Sequence, residues 1–198
     1  MDYNLLFRWF VGLNMDDPVW DPTVFSKNRE RMMAADVARA FFEEVGQLAR
    51  SEGLLSNEHF TVDGTLIEAW AGPKNFQPKA EAKQPPKDPD PGNPSVNFRG
   101  ERRCNDTHQS TTDPEARLYR KGMGQEAKLA FQGHVLMENR NGLVVETRLT
   151  PATGKAEREA AVEMVEAQAG GSHPTVGGDK AYDTREFVAA VRDRKSVV

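Results

Sequence analysis

The spacing of apolar residues predicts three helices at the start of the chain. The first carries an apolar stripe at helical intervals, made of Leu5, Leu6, Trp9, Phe10 and Leu13. Arg8 and Asn14 lie off this stripe, which is wide enough to pack one helix face against a core. A second helix is predicted from Thr23 to Arg31, and a third from about Ala34 to Ser51. Four apolar residues of the third helix are expected to face inward: Val37, Phe41, Val45 and Leu48. Residues 1–57 are therefore predicted to form a small helical bundle.

After residue 57 the pattern becomes that of β-strands. His59 to Ala71 suits a buried strand, interrupted near Asp63 and Gly64. Two further β-rich runs flank Asn141-Gly142, a strong hairpin signal. The remaining predicted elements are a helix over 155–169, a short strand over 173–178 and a helix capped by Thr184. Strands alternating with helices predict an α/β domain with a mixed sheet over residues 58–198.

A proline-rich stretch interrupts this domain between about residues 72 and 117. Its prolines, with interspersed Lys, Asp and Gly, cannot sustain a helix or a central strand, so it is predicted to be an extended insertion. Cys104 and His108 lie within it at the spacing of half a zinc site. No second pair follows, and coincidence is the better explanation of their spacing.

Composition restricts the partners of the chain. It has 198 residues with a net charge of −4, which argues against a uniformly basic nucleic-acid-binding surface. The charge is uneven, because residues 74–128 hold eleven Lys or Arg and eight Asp or Glu, a net of +3. Such a segment suits either phosphate contact or an ordinary solvated loop. No apolar run is long enough to span a membrane, and the one cysteine favours a reducing cytoplasm.

Two acids at strand ends indicate a metal site. Asp63 lies in the first β-rich run, and Asp179 follows the short strand near the end of the chain. If these strands are neighbours, two carboxylates lie close together and repel unless a cation or a proton intervenes. Mg²⁺ or Mn²⁺ is the cation that such oxygen ligands predict. For Asp63 alone, a structural role in a turn is the better explanation, and the presence of Asp179 as a partner is what favours the metal site.

Basic residues on two elements are candidate phosphate contacts. Lys27, Arg29 and Arg31 cluster on the second helix, and Lys128 lies on the predicted hairpin. Small helical units often contact a DNA backbone in this way, but an ordinary solvated helix face explains the cluster too. His134 shares the hairpin, where a solvent-facing strand position is the alternative to phosphate contact.

Four blocks of the sequence resemble the DDE transposases of bacterial insertion sequences. They are Leu5–Leu13, Val62–Thr65, Gly133–Leu143 and Asp179–Asp183. The resemblance implies an RNase H-like catalytic domain after an N-terminal DNA-binding domain. It also implies metal-dependent cleavage and joining of double-stranded DNA at the element's ends, with Asp63 and Asp179 as metal ligands. A homo-oligomer associated with the bacterial nucleoid is what the family leads one to expect, and Asp183 falls outside the ligand position.

The resemblance ends before the third acid of that family. The family carries a Glu on a helix beyond a further strand, and the sequence stops at Val198, soon after the helix that follows Asp179. This predicts an incomplete RNase H-like sheet and a chain that is inactive alone. The alternatives are a fragment that binds DNA or full-length transposase as an inhibitor, an inert product, and an unrelated RNase H-like nuclease.

Overall fold

The computed structural model describes residues 4–79, 96–122, 124–169 and 173–193. It divides the chain into two compact units, Met1–Glu52 and Gly53–Val198. The proline-rich residues 80–95 and the C-terminal residues 194–198 lie outside the described residues, and so do the predictions made for them.

The N-terminal unit contains three helices: α1 (Leu5–Phe10), α2 (Thr23–Ala34) and α3 (Val37–Ser51). Asn4 caps α1, because its Oδ1 accepts a hydrogen bond of 3.0 Å from the Phe7 amide. Asp21 accepts 2.8 Å from the Thr23 amide at the start of α2. Helices α2 and α3 contact each other. The positions of the three helices agree with the apolar spacing of the sequence.

The burial predicted for these helices is wrong. Phe41 is 69% exposed and Trp9 is 76% exposed, and all four α3 residues expected to face inward are exposed. Among the described residues of this unit, only Arg8 and Ala49 are buried. Helix α1 spans less than two turns, too few for a continuous packed stripe. Periodicity finds the apolar face of a helix but does not say whether a second layer covers it.

Arg8 lies off the predicted apolar stripe, and its hydrogen bonds hold the residues after α1 against that helix. Its guanidinium is 5% exposed and donates to the carbonyl oxygens of Asn14, Met15 and Asp17. The bonds to Met15 and Asp17 are 3.0 and 2.6 Å long. A planar fork of donors suits several carbonyls at once, which an ammonium group matches less well.

Replacing Arg8 is expected to loosen residues 4–17. Arg8→Ala leaves three carbonyls without their donor, and hydrogen bonds to a charged group contribute about 1.5–3 kcal/mol each at most. We therefore expect faster hydrogen exchange of the amides in residues 4–17 of the full chain, with Gly53–Val198 unchanged. Arg8→Lys should lie between wild type and Arg8→Ala, and Arg31→Ala, on the exposed surface of α2, should match wild type. Equal exchange in Arg8→Ala and Arg31→Ala would contradict this role.

The second unit is built on a five-stranded mixed sheet. Its strands are β1 (His59–Glu68), β6 (Arg117–Tyr119), β7 (Lys128–Glu138), β8 (Leu143–Pro151) and β9 (Thr175–Gly177). Strand β7 pairs antiparallel with β1 on one edge and with β6 and β8 on the other, while β9 pairs parallel with β1. The predicted mixed α/β architecture and the predicted hairpin, β7–β8, are both confirmed. Gly142 closes the hairpin with φ +69°, a conformation that favours glycine.

Two helices pack on one face of this sheet. Helix α4 (Ala156–Ala169) contacts β1, β7 and β8, and α5 (Arg185–Asp193) contacts α4. Thr184 caps α5 through a 3.3 Å bond from the Phe187 amide, as the sequence predicts. The core between the layers consists of Phe60, Val62, Leu136, Ala161, Met164, Val165, Val176, Tyr182, Phe187 and Val191. Side chains alternate between the two faces along β1 and β7, and Phe60, Val62 and Leu136 point into this core.

The predicted insertion is more ordered than its composition suggests. Its described residues form short strands β2 (Phe76–Pro78), β3 (Val96–Phe98), β4 (Glu101–Arg103) and β5 (His108–Ser110). A second core of Phe76, Ala116, Leu118 and Leu129 joins this region to the sheet. His108 is buried, with its two ring nitrogens near Thr107 and Glu101. The described part of the insertion is thus extended, as the sequence predicts, but its short strands pair and pack against the sheet.

Candidate acidic site at the end of two parallel strands

Asp63 and Asp179 both lie just beyond the stretch over which two neighbouring strands, β1 and β9, pair in parallel. In the parallel pair of β1 and β9, Thr61 lies opposite Gly177. Asp63 is two residues beyond Thr61 and Asp179 is two residues beyond Gly177, so both acids follow the last shared position of the pair. Both side chains are exposed. The neighbouring strands expected from the order of elements are thus present, and the catalytic role of the two acids stays a prediction.

Each of the two carboxylates is held by a backbone amide through one oxygen. Asp63 Oδ1 accepts a 2.8 Å bond from the amide of Gly64, the next residue. Asp179 Oδ1 accepts a 2.8 Å bond from the Ala181 amide and so caps the 3₁₀ turn Lys180–Tyr182. Oδ2 of each acid makes no hydrogen bond with the described part of the chain. One oxygen of each carboxylate is therefore oriented, and the other is available to a ligand.

A third acid, Glu157 in the first turn of α4, lies against the same strand. A Cβ atom built on Gly64 would stand 2.6 Å from Glu157 Oε1 and 2.9 Å from its Cδ and Cγ. The carboxylate therefore occupies the space that a side chain at position 64 would fill. We call Asp63, Glu157 and Asp179 the acidic corner. Sequence reasoning missed Glu157, because an acid in the first turn of a helix is ordinarily explained by the helix dipole.

The charges of the acidic corner act on one another. Burial raises the pKa of Glu157, and the negative charges of Asp179 and Asp63 raise it further, while Lys121 and Arg158 oppose them. Burial also raises the pKa of the Tyr182 hydroxyl, to which Glu157, Asp63 and Asp179 add. Three carboxylates thus lie close enough to influence one another, and Glu157 has no ion-pair partner among the described residues.

The acidic corner offers the type of donor that a hard divalent cation takes, but its side chains are not arranged as a metal site. Across residues 4–79, 96–122, 124–169 and 173–193, no group of three or more His, Cys, Asp or Glu side chains is close enough to hold a metal ion as arranged. Three like charges separate when nothing draws them together. Carboxylate oxygens are the ligands that Mg²⁺ and Mn²⁺ prefer. The residues that would hold such an ion are Asp63 and Asp179, with the space in front of Gly64 beside them.

His134 lies in the sheet interior. It is 1% exposed, so the solvent-facing position expected for it is wrong. It lies directly opposite Gly64 in the β1–β7 pair, and its Nε2 is 2.8 Å from Thr150 Oγ1. Its Nδ1 is buried and has no partner among the described residues. Burial lowers the pKa of His134, so the ring is neutral near pH 7. Contact of this side chain with a phosphate at the surface is excluded by its burial.

The basic residues singled out in the sequence occupy two separate places. Lys27, Arg29 and Arg31 lie on α2 and are all exposed. Lys128, at the start of β7, forms an ion pair with Glu68 on β1 that raises the pKa of the lysine. This ion pair partly neutralises the charge that Lys128 would offer a phosphate. DNA contact by any of the four stays a prediction.

Helices long and apolar enough to cross a membrane are absent from the described residues.

The comparisons with known proteins concern the start of the chain. Residues 1–31 match the family described as "Transposase domain (DUF772)". No curated protein and no solved structure shows significant similarity to the chain. The matched residues cover α1, most of α2 and the carbonyl groups bound by Arg8. The match covers 31 of the 198 residues, so it shows a likeness to a transposase domain at the start of the chain.

Proposed function

We propose that this chain is a DDE-type transposase-family protein that binds double-stranded DNA at the ends of an insertion sequence. Asp63 and Asp179 serve as ligands for Mg²⁺ or Mn²⁺ in phosphodiester cleavage and strand transfer. The sheet acts as the RNase H-like catalytic platform, and the N-terminal helices bind DNA. Neighbouring copies of the chain, or full-length transposase, pair the two ends.

The observation that carries this proposal is the parallel pairing of β1 and β9. It puts two acids that are 116 residues apart in sequence just beyond the same end of the paired stretch of β1 and β9. Ligands of α/β sheets commonly bind beyond the carboxyl ends of parallel strands. The transposase match of residues 1–31 supports the choice of DNA as substrate, since the fold alone does not determine the reaction.

The residues of the site bind and orient groups in the proposed reaction. The amides of Gly64 and Ala181 hold one oxygen of each aspartate, and the second oxygen of each is the one that would bind the ion. A bound divalent ion supplies Lewis-acid activation of a water or a 3′-hydroxyl and stabilises charge on the phosphate. The hydroxyl of Tyr182, whose pKa is raised, remains protonated and does not act as a base near neutral pH.

The exposed basic surface of α2 is expected to contribute to DNA binding through phosphate contacts. Changing Lys27, Arg29 and Arg31 to Gln in one variant removes three charges that are exposed to solvent. We expect weaker binding of every duplex tested and a salt dependence, log K against log[salt], that is shallower by about 0.9 per lost phosphate contact. A gel-shift or fluorescence-anisotropy titration at several salt concentrations measures both quantities. The matched control is Arg39→Gln with Arg50→Gln on α3, and equal losses in both variants would contradict a specific role for α2.

The test of the proposed function combines two measurements on the full chain. The first is binding to duplexes that carry the inverted repeats flanking the gene, compared with scrambled duplexes. The second is cleavage and joining of the same duplexes with Mg²⁺ or Mn²⁺, and with EDTA as the control. Preferential binding of the repeats and binding of the cation are the expected results. Cleavage by this chain alone would contradict the prediction from the sequence that it is inactive by itself. A chain that binds neither the repeats nor a divalent cation would overturn the proposal.

The second candidate is a non-catalytic fragment that binds DNA or full-length transposase and inhibits it. It is favoured by the separation of the acidic side chains, which do not form a ready metal site in the described residues. Repeat-specific binding without cleavage at any Mg²⁺ or Mn²⁺ concentration would support this candidate. A full-length transposase whose cleavage is slowed by adding this chain would identify the inhibited step.

A further inference from the structure

Strand β8 forms an open edge of the five-stranded sheet. It pairs with β7 on one side, and no strand among the described residues pairs with its other side. Strands β6 and β9 are also at edges, but each has three residues against nine in β8. An edge strand presents a row of unpaired N–H and C=O groups, to which a strand of another chain can add. The length of β8 makes it the edge best suited to such pairing.

The central part of β8 is regular and partly apolar. Its register with β7 shifts once, which leaves Val145 as an extra residue, and the pairing is regular from Glu146 to Thr150. Neither proline nor lysine, which commonly protect edge strands, occurs in that stretch. Two apolar side chains of the strand are exposed, Val144 by 41% and Leu149 by 62%. A strand added beside β8 removes part of this apolar surface from water.

Glu146 and Arg148 give this edge two opposite charges on one face. Both lie on the face that α4 covers, since Arg148 forms an ion pair with Glu163 of that helix and Glu146 Oε2 is 3.4 Å from Gln168 Nε2. The Arg148 side chain is 36% exposed, and Glu146 is half-buried. Each charge therefore keeps an exposed part beside the open edge.

A second copy of β8 matches the first when the two strands run antiparallel about Thr147. In that register Glu146 of each copy lies opposite Arg148 of the other, so two pairs of opposite charge form across the edge. Leu149 lies opposite Val145 in the same way. Opposite charges and apolar side chains directly across an antiparallel pair stabilise it. The two-fold axis is perpendicular to the sheet, so the α4 helices of both copies lie on one face of the joined sheet.

The neighbouring registers are less favourable. An axis at residue 146 places Glu146 opposite Glu146 of the second copy, and an axis at residue 148 places Arg148 opposite Arg148. Like charges directly across a strand pair are destabilising. An axis between two residues turns the second copy over, and Glu146 and Arg148 then lie on opposite faces, where they do not meet. The charge pattern of β8 therefore selects the register centred on Thr147.

We propose that β8 is a dimerisation edge, at which a second copy of this chain adds its own β8 antiparallel about Thr147 and joins two five-stranded sheets into one. This inference rests on the proposed function, in which neighbouring copies pair the two DNA ends, and it names the surface through which they meet. One strand pair buries less than the roughly 1,600 Å² of a standard interface, so we expect a dissociation constant in the micromolar range.

The test measures the oligomeric state of the full chain without DNA or a divalent cation. Sedimentation velocity over about 1–200 µM protein covers the expected dissociation constant, and wild type should show a reversible monomer–dimer equilibrium. Glu146→Arg and Arg148→Glu each bring like charges together twice, so each should weaken dimerisation about tenfold or more. The matched control is Glu186→Arg, the same charge reversal at an exposed acid of α5, which should dimerise like wild type.

Mixing the two single variants separates specific pairing from structural damage. A Glu146→Arg chain carries two positive charges at the edge, and an Arg148→Glu chain carries two negative charges. In the register centred on Thr147, every charge of one chain meets an opposite charge of the other. An equimolar mixture should therefore recover dimerisation, although neither variant dimerises well alone. A chain that carries both substitutions should dimerise as well, because the exchange keeps both pairs.

A second readout uses wild type alone and decides the question if a variant does not fold. Hydrogen exchange of the β8 amides should slow as the protein concentration rises, because pairing protects their outward N–H groups. Exchange of the β9 amides, at the other side of the sheet, should not depend on concentration. Circular dichroism of each variant shows whether it is folded.

The outcomes distinguish this inference from the proposed function. A wild-type chain that stays monomeric would overturn the inference, and so would single variants that dimerise like wild type or a mixture of folded variants that stays monomeric. Recovery in the mixture, with concentration-dependent protection of β8, would support it. A monomeric chain that binds the repeats and a cation would leave the proposed function standing without this edge. Dimerisation by a chain that binds neither would leave the edge standing without that function.

Discussion

Asp63→Asn is expected to remove divalent-cation binding and, with it, any cation-dependent cleavage of end-containing DNA. Asparagine has the size of aspartate, and its Oδ1 can still accept the 2.8 Å bond from the Gly64 amide. The substitution therefore removes a charge while keeping the geometry of the strand end. Loss of one anionic ligand costs several kcal/mol of interaction with the ion, which corresponds to a decrease of about a hundredfold or more in affinity or rate. Calorimetric titration with Mg²⁺ or Mn²⁺ gives the affinity, and the cleavage assay gives the rate.

Asp183→Asn is the matched control for this substitution. Asp183 lies four residues after Asp179, is exposed, and follows the same 3₁₀ turn. It matches the acidic block but lies outside the ligand position, so we expect less than about a twofold change in cation affinity, as for surface substitutions in general. Equal effects of Asp63→Asn and Asp183→Asn would mean that bulk negative charge, and not a specific site, attracts the cation.

The sequence predicts the local elements of the second unit well because their signals are local. The hairpin follows from Asn141-Gly142 between two apolar runs, and its turn has Gly142 at positive φ. Helix α5 follows from its cap and its apolar spacing. The position of β9 beside β1 is different, because no local pattern says which strands pair. The prediction that β9 lies beside β1 came from the order of elements and from the family resemblance.

Two features could not be predicted from the sequence because they depend on which helix packs against the strand. Glu157 is one, since only the packing of α4 on β1 shows that it fills the space in front of Gly64. His134 is the other, because a strand with a polar residue at an alternate position reads as half-exposed. Here α4 and α5 cover that face, and the alternation of β7 turns Gln132, His134 and Glu138 inward together with Leu136.

The sequence overestimated burial in the N-terminal helices and underestimated order in the insertion. In the helices, apolar periodicity was taken for burial, yet residues such as Phe41 are exposed. In the insertion, proline content correctly predicted extended chain but gave no sign that its short strands pack together. Short pieces of order exist there: Arg103 packs its guanidinium 4.6 Å from the Phe98 ring centre and donates 2.7 Å to the Phe76 carbonyl. Such contacts join residues 27 positions apart, and composition does not record them.

Glu138→Ala is expected to cause a large loss of stability in the second unit. Glu138 is 0% exposed and accepts three hydrogen bonds, from Ser56 Oγ at 2.6 Å, the Arg140 amide at 2.7 Å and the Asn141 amide at 3.0 Å. Alanine leaves two amides of the hairpin turn without an acceptor and opens a space in the sheet. We expect a decrease of about 2–4 kcal/mol in the free energy of unfolding, measured by native-state hydrogen exchange of the β7 amides.

This contribution should depend on pH in a defined direction. Burial raises the pKa of Glu138, but hydrogen bonds from Ser56, Asn141 and Arg140 outweigh it, and the pKa lies below the ordinary value of 4.5. The unfolded chain therefore binds this proton at a higher pH than the folded chain. Stabilisation is complete above about pH 5 and is lost as the pH falls through 4.5 toward the folded value. The difference between wild type and Glu138→Gln should accordingly narrow between pH 6 and pH 3.

Glu68→Ala supplies the control, because Glu68 is an exposed acid on β1 whose ion pair with Lys128 contributes at most about 1 kcal/mol. Equal losses for Glu138→Ala and Glu68→Ala would show that the buried carboxylate does not hold the turn.

A selective loss of stability in Glu138→Ala is expected to affect the acidic corner as well. The hairpin turn holds β7 in the register that sets His134 opposite Gly64, and a shift of one residue sends every side chain of β7 to the other face. Cation affinity should then fall in Glu138→Ala although Glu138 itself touches none of the three acids of the acidic corner.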